Sequence, residues 1–392
     1  MIPRSAQETL SRLARGFPVL ALTGPRQSGK TTLARLAFPG KPYLSLEDPD
    51  VRLLAETDPR GILAGFPDGA ILDEVQRVPE LFSYLQTRVD ADQRPGTWLL
   101  TGSQQFGLFS EMTQSLAGRV GLVQLLPFSL EELNKAGRMP ESLDELLVRG
   151  AYPPLYDRDL SPGDWFTAYT GTYLERDVRQ VLNVRDLSAF QRFLRLCAGR
   201  VGQLLNLSDL AADCGITHNT AGAWLSVLEG SYIVFLLRPH HQNFSKRLVK
   251  TPKLYFCDTG LAAWLLGIRN AAQVAFHAQR GALFENLVIA DCLKQRLNQG
   301  RPPDLHFWRD SQGLEVDLMV ETAGRLNPVE IKSGQTVAAD FLDGLRRWNT
   351  LAGRADCEGS LIYGGDQAFR NGQVEIIPWR ALPGWQERQL QA

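Results

Sequence analysis

Cysteine is scarce in this chain. Five residues among 392 (Cys197, Cys214, Cys257, Cys292 and Cys357) are scattered, odd in number and form no C-x-x-C pair. That argues against a disulfide framework and against a thiolate zinc site, and makes a reducing cytoplasm the expected compartment. Charge of one sign is lacking too. The 42 Lys and Arg against 43 Asp and Glu leave a net −1. The molecule as a whole is no polycation, so any nucleic-acid surface has to be local. No apolar run approaches the ~20 residues of a membrane-spanning helix. The opening Met-Ile-Pro-Arg-Ser-Ala-Gln-Glu has no signal-peptide pattern. What remains is ordinary: 44% hydrophobic and 22% charged residues, over a length that predicts two or three domains.

The most informative stretch runs from Pro18 to Leu33. Pro-Val-Leu-Ala-Leu-Thr reads as a buried strand. Gly24, Pro25, Arg26, Gln27, Ser28, Gly29, Lys30 and Thr31 form the loop, and Thr32 continues into a helix. The loop fits G-x-x-x-x-G-K-[ST] without departure. Such a loop wraps a polyanion with backbone amides, so glycines stand where a Cβ would obstruct or φ is unusual. The helix that follows aims its positive end at the phosphates. Lys30 can reach the β and γ phosphates, and the Thr31 hydroxyl can ligate Mg²⁺. ATP and Mg²⁺ are therefore the expected ligands.

A second signature follows. Gly69-Ala-Ile-Leu-Asp-Glu-Val is an apolar strand ending in two acids. A carboxylate at a strand's C-terminal end lies beside the P-loop. Asp73 is expected to hold Mg²⁺, directly or through water, and Glu74 to polarise the attacking water. Thr97–Ser103 is another buried strand, whose Thr101 or Ser103 could sense the γ-phosphate. Short strands are expected at Tyr43–Asp48 and Gly121–Phe128, with helices at 5–15, 51–55, 79–89 and 104–117. The alternation predicts an α/β fold with a parallel sheet covered on both faces.

Further on, Ser129-Leu-Glu-Glu-Leu opens a helix with a capping-box start from Ser129 to Glu132. Trp165 to Val181 reads as a long helix whose Arg176, Asp177 and Arg179 could contact a nucleotide or partner, or simply face solvent. Residues 208–230 read as helix-turn-helix, broken at Cys214-Gly215. The apolar strands Tyr232–Leu237 and Lys253–Phe256 after it suggest a winged helix. The second helix carries no Lys or Arg between Thr217 and Glu229. The basic residues follow it: Arg238, Lys246, Arg247, Lys250 and Lys253, with His240 and His241 between. They could form a phosphate-contacting wing, or the module could serve only for packing. In the last third, Gln279–Leu293 is a helix bearing Glu285. Strands at His306–Asp310, Gly313–Val320 and Asn327–Ser333 place Asp317 in one strand, with Glu330 and Lys332 on one face of the next. Buried strands seldom carry Asp, Glu and Lys unless these are paired or bind a metal.

Gly24–Thr32, Ile71–Gln76 (Ile-Leu-Asp-Glu-Val-Gln) and Thr101–Ser103 together resemble the prokaryotic AAA+-type ATPases whose C-terminal half is a domain of unknown function. Leu116-Ala-Gly-Arg-Val followed by Leu125-Leu-Pro-Phe-Ser has its counterpart in that family as well. The resemblance makes Arg119 a candidate arginine finger or phosphate sensor, in trans or after a domain movement in cis; a surface salt bridge is the alternative. Ser103 stands where many AAA+ proteins have Asn. The C-terminal constellation looks like the PD-(D/E)xK nuclease fold. That likeness implies Mg²⁺ or Mn²⁺ at Asp317 and Glu330, help from Glu285, and Lys332 orienting the water. An inherited fold, with the acids paired to Lys332, is the competing reading.

The expected architecture is thus a P-loop ATPase domain (1–130), a helical lid or linker (131–200), a winged helix (201–275) and a restriction-endonuclease-like α/β domain (276–392). The expected function is an ATPase that binds DNA in processing, repair or remodelling of branched DNA, as a possible homo-oligomer. A nucleotide-gated regulatory or scaffold protein with an inert nuclease-like domain is the alternative.

Overall fold

The structure, a computed structural model, describes residues 1–103, 116–174, 186–240, 249–322 and 324–391. The helix expected after Gln104, together with Arg176, Asp177, Arg179, His241, Lys246 and Arg247, lies outside them. The chain forms two compact units. The first comprises Met1–Phe128 with Val227–Ile233 and Arg296–Pro302; the second comprises Ser129–Ser226, Val234–Gln295 and Pro303–Ala392.

In the first unit, strands β1 (Val19–Thr23), β2 (Tyr43–Ser45), β3 (Ile71–Asp73), β4 (Trp98–Gly102) and β5 (Val120–Gln124) make one sheet in the order β2-β3-β4-β1-β5. Every pairing is parallel. All five residues of β1 are buried, as expected of a strand covered on both faces. Their alternation splits the core in two. Val19 and Ala21 pack with Leu72, Phe82, Leu85 and Leu100, while Leu20 and Leu22 pack with Leu10, Leu33, Ile71 and Leu99. Helices α1 (Ala6–Leu13), α2 (Lys30–Ala37), α3 (Pro49–Thr57), α4 (Pro59–Ala64) and α5 (Leu81–Ala91) supply the outer layers. Their starts are chemically marked. Asp48 accepts from the Asp50 amide at 3.0 Å ahead of Pro49, so α3 has both a side-chain cap and a proline in its first turn.

The second unit opens on the predicted capping box. In α6 (Leu130–Lys135), Ser129 Oγ accepts from the Glu132 amide at 3.3 Å, and Glu132 Oε2 accepts from the Ser129 amide at 2.9 Å. Helix α7 (Leu143–Arg149) and helix α8 (Pro162–Tyr169) follow; α8 gives way to a wider π turn over Thr170–Leu174. Helix α9 (Leu187–Gly199) precedes the helix-turn-helix pair α10 (Leu207–Cys214) and α11 (His218–Gly230). Gly215, at φ 69°, closes α10 in the left-handed conformation a side chain resists. Trp224 meets Phe190 and Phe193 edge-on at 5.4 and 5.5 Å, so α11 packs on α9.

An eight-stranded sheet carries the remainder. Its strands are β6 (Val234–Pro239), β7 (Lys253–Phe256), β8 (His306–Arg309), β9 (Glu315–Thr322), β10 (Arg325–Lys332), β11 (Glu358–Tyr363), β12 (Phe369–Asn371) and β13 (Gln373–Pro378). Their order is β12-β13-β11-β10-β9-β8-β6-β7. Helices α12 (Thr259–Leu265), α13 (Arg280–Asn298), α14 (Asp343–Leu351) and α15 (Leu382–Gln391) accompany them. Along the chain, the first passage from one unit to the other comes at Phe128–Ser129. Strand β6 pairs with β8, Arg238 beside His306, so β6 and β7 are the last two strands of the sheet that carries β8–β13, with β7 at its edge.

Candidate nucleotide site and carboxylate cluster

The P-loop begins where β1 ends, between Gly102 and Gln124 of the flanking strands. A Cβ on Gly24 would collide with the Leu125 carbonyl oxygen, so only glycine lets the loop turn there. Gly29 stands at φ 93° as the N-cap of α2. Lys30 is 5% exposed, and its ammonium donates to the Gly24 and Pro25 carbonyls at 3.0 and 2.8 Å. Ser28 Oγ is buried without a hydrogen-bond partner. An orphan hydroxyl, a lysine folded onto the loop's own carbonyls and a glycine-shaped turn fit a triphosphate.

Asp73 at the tip of β3 gathers three hydroxyls. Thr31 Oγ1 donates to its Oδ2 at 3.0 Å, Tyr43 Oη donates to Oδ2 at 2.6 Å, and Thr101 Oγ1 donates to Oδ1. Burial, and then the carboxylate it faces, pushes the Tyr43 phenol well up, so it stays a donor. Thr31 and Asp73, the two expected Mg²⁺ ligands, are therefore adjacent, and their hard oxygens suit that ion. Glu74 follows in the left-handed region, φ 54° and ψ 46°. Its Oε2 accepts from Gln76 Nε2 at 2.5 Å and from Ser103 Oγ at 3.1 Å. Arg26 and Arg77 flank the loop on Glu47, at 3.7 and 3.3 Å.

The second cluster grows from the antiparallel register of β9 and β10. Leu318 stands opposite Val329, which brings Asp317 level with Glu330. Asp317 Oδ2 accepts from the Ile331 amide at 2.8 Å and from Lys332 Nζ at 3.2 Å; Lys332 also donates to Glu330 Oε2 at 2.6 Å. Nearby, Lys253 is only 2% exposed. Its ammonium pairs with Glu285 at 3.0 Å and with Glu315. Tyr255 Oη donates to Glu285 Oε1 at 2.5 Å, and Arg309 pairs with Glu315 at 2.7 Å. A cavity of about 730 Å³ opens here, lined among others by Asp317, Glu330, Lys332, Phe341 and Arg347.

The electrostatics follow from burial. Burial, then the neighbouring Asp317 charge, pushes Glu330 up to about 8. Burial and Asp317 raise Glu285 as well. Burial also opposes the charge on Asp317, but Lys332 and Lys253 outweigh it and hold this carboxyl below the usual range. Both lysines stay firmly charged, because the carboxylates around them outweigh their desolvation. Among the described residues no three His, Cys, Asp or Glu side chains form a metal-holding group. Asp317 and Glu330 are brought together as expected, but Glu285 engages Lys253 and Tyr255. As arranged, Asp317 and Glu330 share the Lys332 ammonium.

Comparison with known proteins now has a structural frame. The AAA domain pattern matches residues 16–134. Two domains of unknown function match 140–272 (DUF8612) and 280–382 (DUF4143). Uncharacterised proteins of Mycobacterium tuberculosis H37Rv and of Mycobacterium bovis are each 36% identical over 339 residues, which is 85% of this chain and 74% of theirs. The chain belongs to one family with them, an AAA-type ATPase family. Among solved structures, a Walker-type ATPase of Pyrococcus abyssi is 17% identical. It covers 66% of this chain and 94% of its own at a TM-score of 0.45. A point variant of Thermotoga maritima RuvB is 18% identical, covering 59% of this chain and 86% of its own at 0.30.

In this AAA-type ATPase, one sequence expectation, for Lys253, needs correction, and Arg119 takes the ion pair given as its alternative. Arg119 is not brought to the nucleotide site of its own unit. It precedes β5, level with the start of β1, because the two strands are parallel, and so lies at the opposite end of the sheet from the loop. There it pairs with Asp90 at 2.5 Å, part-exposed. Lys253 is not a wing contact, since Glu285 and Glu315 hold it in the interior. Arg238 and Lys250 are exposed, as a wing would require. Thr32 is exposed on α2. The sequence also concealed participants. Tyr43 beside Asp73, and Glu315 and Tyr255 in the cluster, carry no motif, and Gln76 stood in one without a role. Only the strand order β2-β3-β4 makes Tyr43 and Thr101 neighbours of Asp73.

Proposed function

We propose that the chain is a Mg²⁺-dependent ATP hydrolase whose second unit is a nucleotide-gated binding module for DNA. One observation carries the hydrolase reading: Asp73 beside Thr31, and Glu74 beside Ser103, at the C-terminal end of β3. Mg²⁺ held by Thr31 and Asp73 would neutralise charge on the triphosphate. Lys30 exchanges two loop carbonyls for phosphate oxygens, and the loop amides with Ser28 Oγ donate to the same anion. Glu74 accepts a proton from water as the water oxygen bonds to the γ-phosphorus. The bridging bond to the β-phosphate breaks, and its electron pair leaves with the diphosphate.

For the second unit, the internal lysines favour the scaffold reading over the nuclease one. Divalent cations would have to displace ammonium groups that already satisfy the acids. Arg238 and Lys250 are the exposed cations that support a DNA partner. The test is phosphate release with nucleotide binding measured alongside. Lys30→Ala should abolish turnover and weaken binding; Glu74→Gln should bind but lose turnover by ~10² or more. Undiminished turnover in both ends the hydrolase reading. DNA affinity should fall with salt, and removing Arg238 or Lys250 should reduce that slope by about one each if they touch phosphates. Mn²⁺-dependent cleavage lost in Asp317→Ala would restore the nuclease reading.

A further inference from the structure

Gln76 sits on a short 3₁₀ turn, Val75–Arg77, directly after the two acids. The left-handed bend at Glu74 sends Val75 into the core, where it is 1% exposed, and turns residue 76 back toward residue 74. The Gln76 amide donates to Glu74 Oε2 at 2.5 Å and approaches Ser103 Oγ at 3.4 Å. Ser103 donates to the same Oε2. Both donors therefore hold one carboxylate oxygen, and no described residue donates to the other. The remaining polar atom of Gln76, its Oε1, is buried without a partner. A buried amide oxygen is seldom left so, and an orphan acceptor beside a general base suits the second hydrogen of a bound water.

We infer that Gln76 is a positioning residue for hydrolysis: together with Ser103 it fixes Glu74 through Oε2, leaving the other oxygen to take the proton of the attacking water, whose second hydrogen Gln76 Oε1 accepts. The inference rests on the hydrolase reading above. It assigns work to a glutamine that the P-loop and the acid pair do not account for. The left-handed backbone at Glu74 belongs to the same device, since an ordinary strand exit would carry residues 74 and 76 apart.

The test uses the full chain, steady-state and single-turnover ATP hydrolysis, and titration with a non-hydrolysable ATP analogue. Gln76→Leu should lower kcat about ten- to a hundredfold, short of the ~10²–10⁴ of a general base itself, with analogue affinity unchanged. Gln76→Glu keeps the size of the side chain but sets a second carboxylate against Glu74. It should lower kcat with analogue affinity unchanged, because the new carboxylate cannot donate to Glu74 Oε2. In a Glu74→Gln background, Gln76→Leu should cost clearly less than in the wild type, since the part of its role that acts through Glu74 is gone and only its contact with the water remains. An equal loss in both backgrounds, or a kcat that survives either substitution of Gln76, would overturn the inference. Absence of hydrolysis in the wild-type chain would instead overturn the hydrolase reading on which it stands.

Discussion

Replacing Lys253 by methionine is the sharpest probe of the second unit. Lys253 is 2% exposed and serves two carboxylates, Glu285 at 3.0 Å and Glu315. Methionine fills a similar volume without charge, so packing is nearly kept while the counter-ion is lost. Stranding a buried charge costs about 3–5 kcal/mol. Two features temper this. Glu315 keeps Arg309 at 2.7 Å, and Glu285 keeps the Tyr255 hydroxyl. Glu285, already raised by burial and by Asp317, can also escape by taking a proton. The expected loss is about 3 kcal/mol at about pH 7.5 and clearly less at about pH 5.5. Urea unfolding followed by the fluorescence of the buried Trp308 and Trp348 reads it directly. Adding Glu285→Gln should recover at least half, because the stranded charge then disappears. A Lys253→Met loss below about 1 kcal/mol at the higher pH, or one independent of pH, would refute the account of an internal counter-ion.

Two further outcomes are expected. Glu330 has its folded pKa raised to about 8 from 4.5. The native state thus holds a proton that the unfolded state releases between those values. That contribution to stability is complete below about 4.5 and is lost as pH rises through 8, at a limit of about 1.4 kcal/mol per pH unit. Asp291, pushed up to about 6 by burial, acts in the same direction. Melting temperatures measured at about pH 5.5, 6.5 and 7.5 should fall in the wild type and be flatter in Glu330→Gln; parallel lines would contradict the assignment. A Cβ at position 344 would strike Glu330 Oε1 and crowd the Glu315 carbonyl. Gly344→Ala should therefore displace α14 and cost about 1–3 kcal/mol, again by urea unfolding.

What could be read from the sequence was what depends on neighbours in the chain. The P-loop, Asp73-Glu74, the Ser129–Glu132 box and the helix pair broken at Gly215 are local patterns, and each one is found at its place. Of the long helix expected from Trp165 to Val181, the described part is α-helical to Tyr169 and then a wider turn over Thr170–Leu174, which a 3.6-residue period does not reveal; residues 175–181 lie outside the described residues. Which end of its sheet Arg119 occupies was not legible, because a motif carries no information on which end of a parallel sheet it reaches. Lys253 read as a surface cation because lysine usually is one; its burial is decided by two acids distant in the chain. The orphan oxygen of Gln76 is a fact of packing that no spacing rule encodes.

The first unit is stitched from three separated lengths of chain, the last ending at Pro302. One stitch is chemical: the Tyr232 hydroxyl lies 2.7 Å from Thr23 Oγ1, one residue before the P-loop. During synthesis, the five strands are complete by Gln124, while that tyrosine and the later stretch emerge roughly ten to thirty seconds afterwards at about 5–20 residues per second. A gene cut after Phe128 would encode all five strands but leave Thr23, beside the P-loop, without the Tyr232 hydroxyl and the unit without its two later stretches.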